Sequence, residues 1–254
     1  MWAVLPANAQ AVVDLDLSQN AIGCEAARAI ADLMRANRLR RLLLTSNPIF
    51  SGTAAPNEDR STSDPTAPPP PPIAAPPTPE QLEGLKMVAN GLGASLSLKE
   101  LHMRACGLDS SSGAALGTAL SSNRCLEHLS LWKNALGGKG GKALISGLRM
   151  NTTLTVLDLR SNQLDDEAGL AIASHLSTAK ASRICELHVS DNAFGVDSGK
   201  AIAKAWPDAL ALAMLDVRGQ AWKIEPKVVS ELKAARSSLA SKKKGASVEL
   251  LVDD

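Results

Sequence analysis

The chain has 254 residues, 45% of them hydrophobic, enough apolar material for one or two packed cores, which excludes a disordered chain. A formal net charge of +1 supplies no field to draw a nucleic acid or an acidic membrane, and the basic run "SKKK" at 241–244 reads as a solvated helix end. Cys24, Cys106, Cys125 and Cys185 lie far apart without a C-x-x-C pair, and no leader-like or membrane-length apolar run occurs, so a soluble, cytoplasmic chain with reduced thiols is expected.

Residues 1–11 are too short for a repeating unit and are expected to cap the first one. From Val12 a phrase recurs at intervals near 28 residues: "VVDLDLSQNAI", "LRRLLLTSNPI" from Leu39, "LKELHMRACGL" from Leu98, "LEHLSLWKNAL" from Leu126, "LTVLDLRSNQL" from Leu154, "ICELHVSDNAF" from Ile184 and a degraded "LAMLDVRGQAW" from Leu212. Each phrase predicts a strand whose fourth and sixth places point the same way, into a core: Leu15 with Leu17, Leu129 with Leu131, Leu157 with Leu159. Asparagine holds the ninth place as Asn20, Asn47, Asn134, Asn162 and Asn192, with Cys106 and Gln220 as replacements.

After each turn a helix is predicted from a sixteenth-place glycine, Gly113, Gly141, Gly169 or Gly199, followed by apolar residues three and seven places on, such as Leu116 with Leu120 and Ile172 with Leu176. The period breaks once. After Ile49 the matching helical glycine comes only at Gly84, and residues 51–79 between them carry no leucine and most of the prolines. This stretch is expected to protrude from the second repeat as a Pro-rich insertion, read chiefly as a tolerated surface loop. Beyond Glu225 and Pro226 a last helix is predicted through Val229, Leu232 and Leu239. The array thus spans 12–239, and 240–254 form a capping tail whose "SVELLVDD" can add one more strand.

The spacing resembles the leucine-rich repeat, in the 28-residue helix-bearing class of ribonuclease inhibitor, Ran GTPase-activating protein and the sensor ends of NOD-like receptors. The resemblance implies an α/β solenoid of about seven repeats, a horseshoe with a parallel concave sheet and convex helices. It also implies that the ninth-place asparagine bonds backbone groups of neighbouring coils, a place where cysteine is the recognised substitute, so Cys106 needs no reactive role. One coil cannot bury its own leucines, whereas stacked coils share a continuous core.

The third, fifth and seventh strand places remain for the concave surface. The fifth-place column reads Asp16, Leu43, His102, Ser130, Asp158, His188, Asp216, and the seventh Ser18, Thr45, Arg104, Trp132, Arg160, Ser190, Arg218. Trp132 is an indole where the pattern demands exposure, in a chain without tyrosine, and Arg104 and Arg160 flank it one strand to either side. These are residue types enriched in binding hot spots, although the arginines can also stack on the indole as a self-contained ladder. A partner-binding face is therefore expected from Trp132, Arg104, Arg160, His102, His128, Asp158, His188 and Arg218. "PPPPP", which is Pro68, Pro69, Pro70, Pro71 and Pro72, is a second candidate, for a groove that reads polyproline II.

No metal set is expected, because His102 and His128 lack a carboxylate or cysteine to complete one. No catalytic residue is assigned either, since Asp158 near a histidine lacks an activated nucleophile. "GGKGGKAL" from Gly137 lacks phosphate-loop spacing and falls in repeat register. A non-catalytic protein-interaction or scaffold module, without cofactor or small-molecule substrate and free of nucleic acid and membrane insertion, is the leading expectation, with a possible place as a structural subunit of a larger assembly. The alternative, by resemblance, is a GTPase-activating or regulatory protein similar to the Ran regulator, although a catalytic loop does not align and the long acidic tail of that regulator is replaced by Asp253 and Asp254 alone.

Overall fold

A computed structural model describes residues 12–50, 78–178, 181–220, 225–243 and 247–253. Among the described residues eight three-residue strands form one open sheet in chain order: β1 (Asp14–Asp16), β2 (Arg41–Leu43), β3 (Glu100–His102), β4 (His128–Ser130), β5 (Val156–Asp158), β6 (Glu186–His188), β7 (Met214–Asp216) and β8 (Glu249–Leu251). Seven α-helices of the described residues alternate with them: α1 (Ala27–Arg35), α2 (Pro79–Ala94), α3 (Ser110–Ser122), α4 (Gly137–Gly147), α5 (Asp166–Thr178), α6 (Val196–Ala205) and α7 (Pro226–Lys242). Every strand pair is parallel and in repeat register, so the fourth-place residues Leu15, Leu42, Leu101, Leu129, Leu157, Leu187, Leu215 and Leu250 align as one column. Leu42 through Leu215 in that column are buried within a single continuous core between sheet and helices.

Parallel pairing runs on past the three-residue strands. The sixth-place amides of Leu44, Met103, Leu131, Leu159, Val189 and Val217 donate to the fifth-place carbonyl of the next strand, and eighth-place amides such as Ala105 and Lys133 donate to the seventh-place carbonyls of Trp132 and Arg160. The eighth place then takes positive φ in every coil from Gln19 to Asp191, and again at Gly219. That left-handed residue turns the chain off the sheet, and it fixes the direction of the seventh-place side chain before it.

Below the turn the ninth-place asparagines form the ladder that the resemblance implied. Asn134 donates to the Met103 and Leu131 carbonyls at 2.8 and 2.7 Å and accepts from the Cys106 and Leu108 amides at 3.0 and 3.1 Å. Asn47 and Asn192 repeat the arrangement. Cys106 performs the donor half, its Sγ lying 3.2 Å from the Leu44 carbonyl, and burial pushes its thiol up to about 12. A second ladder, unread in the sequence, lies at the opposite edge: Asn123 and Asn151, three places before their phrases, each donate to a carbonyl of the preceding coil and accept two amides of their own turn.

The sixteenth-place glycine lets helices approach closely. A Cβ added at Gly113 would lie 2.6 Å from the Gly140 Cα, so any larger residue would push α3 and α4 apart. Four details differ from the sequence reading. Leu15 and Leu17 are only half-buried, because β1 is the outermost strand of the described sheet. Thr78 and Pro79, counted into the insertion, are the cap and first residue of α2: the Thr78 hydroxyl accepts from the Gln81 amide while Gln81 bonds back to Thr78. In α7 the fully buried valine is Val228, in helical phase with Leu232, Ala235 and Leu239, and Val229 lies beside that face. The same helix runs on to Lys242, into the stretch read as tail, before β8 pairs with β7. The expected N-terminal cap at 1–11 and the pentaproline lie outside the described residues.

Candidate binding surface on the sheet

Trp132 projects from the middle of the sheet face, half-buried, with its indole Nε1 donating to the Ser161 hydroxyl at 3.3 Å. The neighbouring strands bring two guanidinium groups over its ring, with Arg104 Cζ 3.9 Å and Arg160 Cζ 4.6 Å from the ring centroid. The self-contained stack is therefore formed, and each contact is worth roughly 0.5–1 kcal/mol at an exposed site.

The two arginines differ in what else they touch. Arg160 grips Asp158 of its own strand through Nε and Nη2 at 2.9 and 2.8 Å, and the Ser130 hydroxyl from β4 donates to the same carboxylate at 3.0 Å. Burial raises the Asp158 carboxyl, but the hydrogen bonds and charge of Arg160 with the Ser130 bond outweigh it and hold the group below the usual carboxylate range. Arg218 repeats the grip on buried Asp216, both contacts at 2.9 Å. His188 of β6 stands 3.9 Å from Asp216, and together with Arg218 it outweighs the burial that would raise that carboxyl, leaving it well below its ordinary value. Arg104 has no such carboxylate. Among the described residues its buried Nε has no hydrogen-bond partner, and burial lowers the guanidinium's affinity for its proton.

Of the residues singled out in the sequence, Arg104, Trp132, Arg160 and Asp158 form one contiguous group. His102 faces Ser130 in the register and joins its edge, and burial disfavours its charged form. His188 faces Asp158 but makes its carboxylate contacts to Asp216 and, at 3.8 Å, to Glu186. Arg218 sits two strands from Arg160, and His128, exposed at a third place, is diagonal to His102 and faces Glu100. The sequence reading missed the pairing of Asp158 with Arg160 and of Asp216 with Arg218. Its signal is the D-x-R triplet in "DLR" and "DVR", which puts acid and guanidinium on the same side of one strand. Ser161, the indole's acceptor, carries no such signal.

A family model described as a leucine-rich repeat matches residues 122–144 and 151–173, the segments that run through β4 and β5 into their helices. The array is a leucine-rich-repeat solenoid. The repeat's strand places thus put Trp132 and Arg160 on the open face of two matched coils, with Arg104 one coil before them. No curated protein sequence matches the chain. Among solved structures, the actin-binding site 2 of leiomodin-1 is similar at 21% identity and a TM-score of 0.39, covering 64% of this chain and 75% of that one. Among the described residues no helix is long and apolar enough to cross a membrane.

Proposed function

We propose that the chain is a non-catalytic protein-binding module, a scaffold piece of the ribonuclease-inhibitor-like class, which engages its partner with the sheet face centred on Trp132. The observation that carries this reading is the half-buried tryptophan at a solvent-facing place of the central strand, held by guanidinium groups from both neighbouring strands. Tryptophan and arginine lose little freedom when they are already stacked, and they dominate measured interface energies. The backbone beneath is rigid, because seventh- and eighth-place groups are tied by the extended parallel pairing and the asparagine ladder. Class membership within the repeat family is supported by the spacing near 28 residues and a helix after nearly every strand. The free thiols, with Cys106 held neutral by burial, accord with a reducing, cytoplasmic setting.

Hydrogen–deuterium exchange of the complex with a cross-linked and identified partner tests the reading. Protection should centre on 102–104, 130–132 and 158–160. Protection confined to the helices or to the Pro-rich insertion would reject the sheet face.

A further inference from the structure

The seventh-place arginines are unequal, and the inequality points to the partner's chemistry. Arg160 and Arg218 each have an aspartate two residues earlier, whereas the same place before Arg104 is His102. Neither neighbouring strand supplies a substitute: β2 contributes Leu43 and Thr45 at the fifth and seventh places, and β4 contributes Ser130 and Trp132. The nearest acid along its own strand, Glu100, is taken by Arg41 at 2.8 Å, and Asp158 is spent on Arg160 and Ser130. Among the described residues Arg104 thus has no hydrogen-bonded or ion-paired acceptor, and it keeps the face of Trp132 and the more distant charge of Asp158. A guanidinium is a planar fork of donors that matches a carboxylate, and leaving it partly buried and unpaired is costly.

Resting on the sheet-face reading above, we propose that Arg104, backed by the Trp132 ring, receives a single aspartate or glutamate carboxylate from the partner, presented by an otherwise neutral or basic segment. An otherwise neutral or basic segment fits because the nearby acids are already matched, Glu100 by Arg41, Asp158 by Arg160 and Asp216 by Arg218, so one carboxylate balances the one unpaired guanidinium and further acids gain no unpaired arginine on these strands.

The probe is a blocked heptapeptide, Lys-Ser-Gly-Glu-Ser-Gly-Lys, with its glutamine counterpart and a hexaglutamate peptide as comparisons, titrated into the full chain at low salt. Nitrogen-15 NMR follows the Trp132 indole and Arg104 Nε–H signals, assigned through Trp132→Phe and Arg104→Lys. The single-glutamate peptide should move both signals and bind at least about tenfold more tightly than its glutamine counterpart, as for a charge-assisted bond of ordinary strength. Arg104→Gln should abolish that preference and Arg104→Lys should retain part of it, with the rest of the spectrum certifying the fold of each variant. Equal shifts of the Trp132 signal with the glutamine peptide would overturn the carboxylate proposal while leaving the sheet face as a binding surface. Tighter binding of hexaglutamate would overturn the single-acid form. A glutamate-dependent shift confined to signals elsewhere would overturn both proposals, and no response to any peptide would overturn the carboxylate site.

Discussion

Asn134 and Asn162 occupy the same repeat place in adjacent coils, yet their replacement by alanine should have different consequences. Removing the Asn134 amide leaves the Cys106 and Leu108 amides and the Met103 carbonyl without their partners; the Leu131 carbonyl is still served by Asn162 Nδ2 at 2.9 Å and the Trp132 carbonyl by the Ala105 amide. Three buried backbone groups are stranded, at about 1–3 kcal/mol each, so Asn134→Ala should cost at least about 3 kcal/mol. Removing the Asn162 amide strands none of its partners. The Leu131 carbonyl keeps Asn134, the Arg160 carbonyl keeps the Lys133 amide, and Asn162 Oδ1 has no partner to lose among the described residues. Only the net worth of two bonds goes, about 1–3 kcal/mol. Urea unfolding followed by far-ultraviolet circular dichroism, with slope and midpoint both fitted, measures each. Equal losses, or a larger loss for Asn162→Ala, would refute the idea that stranded backbone groups rather than bond counts set the cost of breaking the ladder.

Leu157→Ala should cost about 2–5 kcal/mol in the same assay, because the side chain is buried at the centre of the fourth-place column. Arg160→Ala should give a smaller, pH-dependent loss: the folded pKa of Asp158 is depressed, so the stabilisation by Arg160 is fully present above the ordinary carboxylate pKa near about 4 and is lost as pH falls through the folded value. Melting curves at pH 7 and at pH 3 should therefore differ between wild type and variant at the first and converge toward the second. Gly113→Ala should destabilise by about 1–3 kcal/mol by forcing α3 from the Gly140 backbone, which thermal unfolding will report.

The fold was legible because the burial problem repeats. A strand leucine that needs a neighbouring coil recurs with an asparagine that needs neighbouring backbone, and seven copies in register leave little freedom, so even the weak "VELLVDD" strand of the tail was foreseen. Facing was legible for the same reason, since side chains alternate, and it placed Trp132 between Arg104 and Arg160. The state of each charge was not. Whether an arginine is spent or free depends on the residue two places before it and on the fifth place of two neighbouring strands, a comparison across the register rather than along the chain. Asn123 and Asn151 carry no such signal because they stand before the phrase, in a turn whose partner carbonyls belong to the coil behind. The half-burial of Leu15 reflects position in the stack, which its own phrase cannot express.

If the sheet face is the binding surface, binding runs through Trp132. Titration calorimetry of the identified partner against wild type, Trp132→Ala and a variant with Pro68, Pro69, Pro70, Pro71 and Pro72 replaced by alanine compares the two candidate surfaces directly. A loss of about 2 kcal/mol or more is expected for Trp132→Ala, roughly thirtyfold in affinity, with the proline variant close to wild type. Unchanged affinity for Trp132→Ala, with binding lost in the proline variant, would contradict that expectation and move the site from the sheet to the insertion.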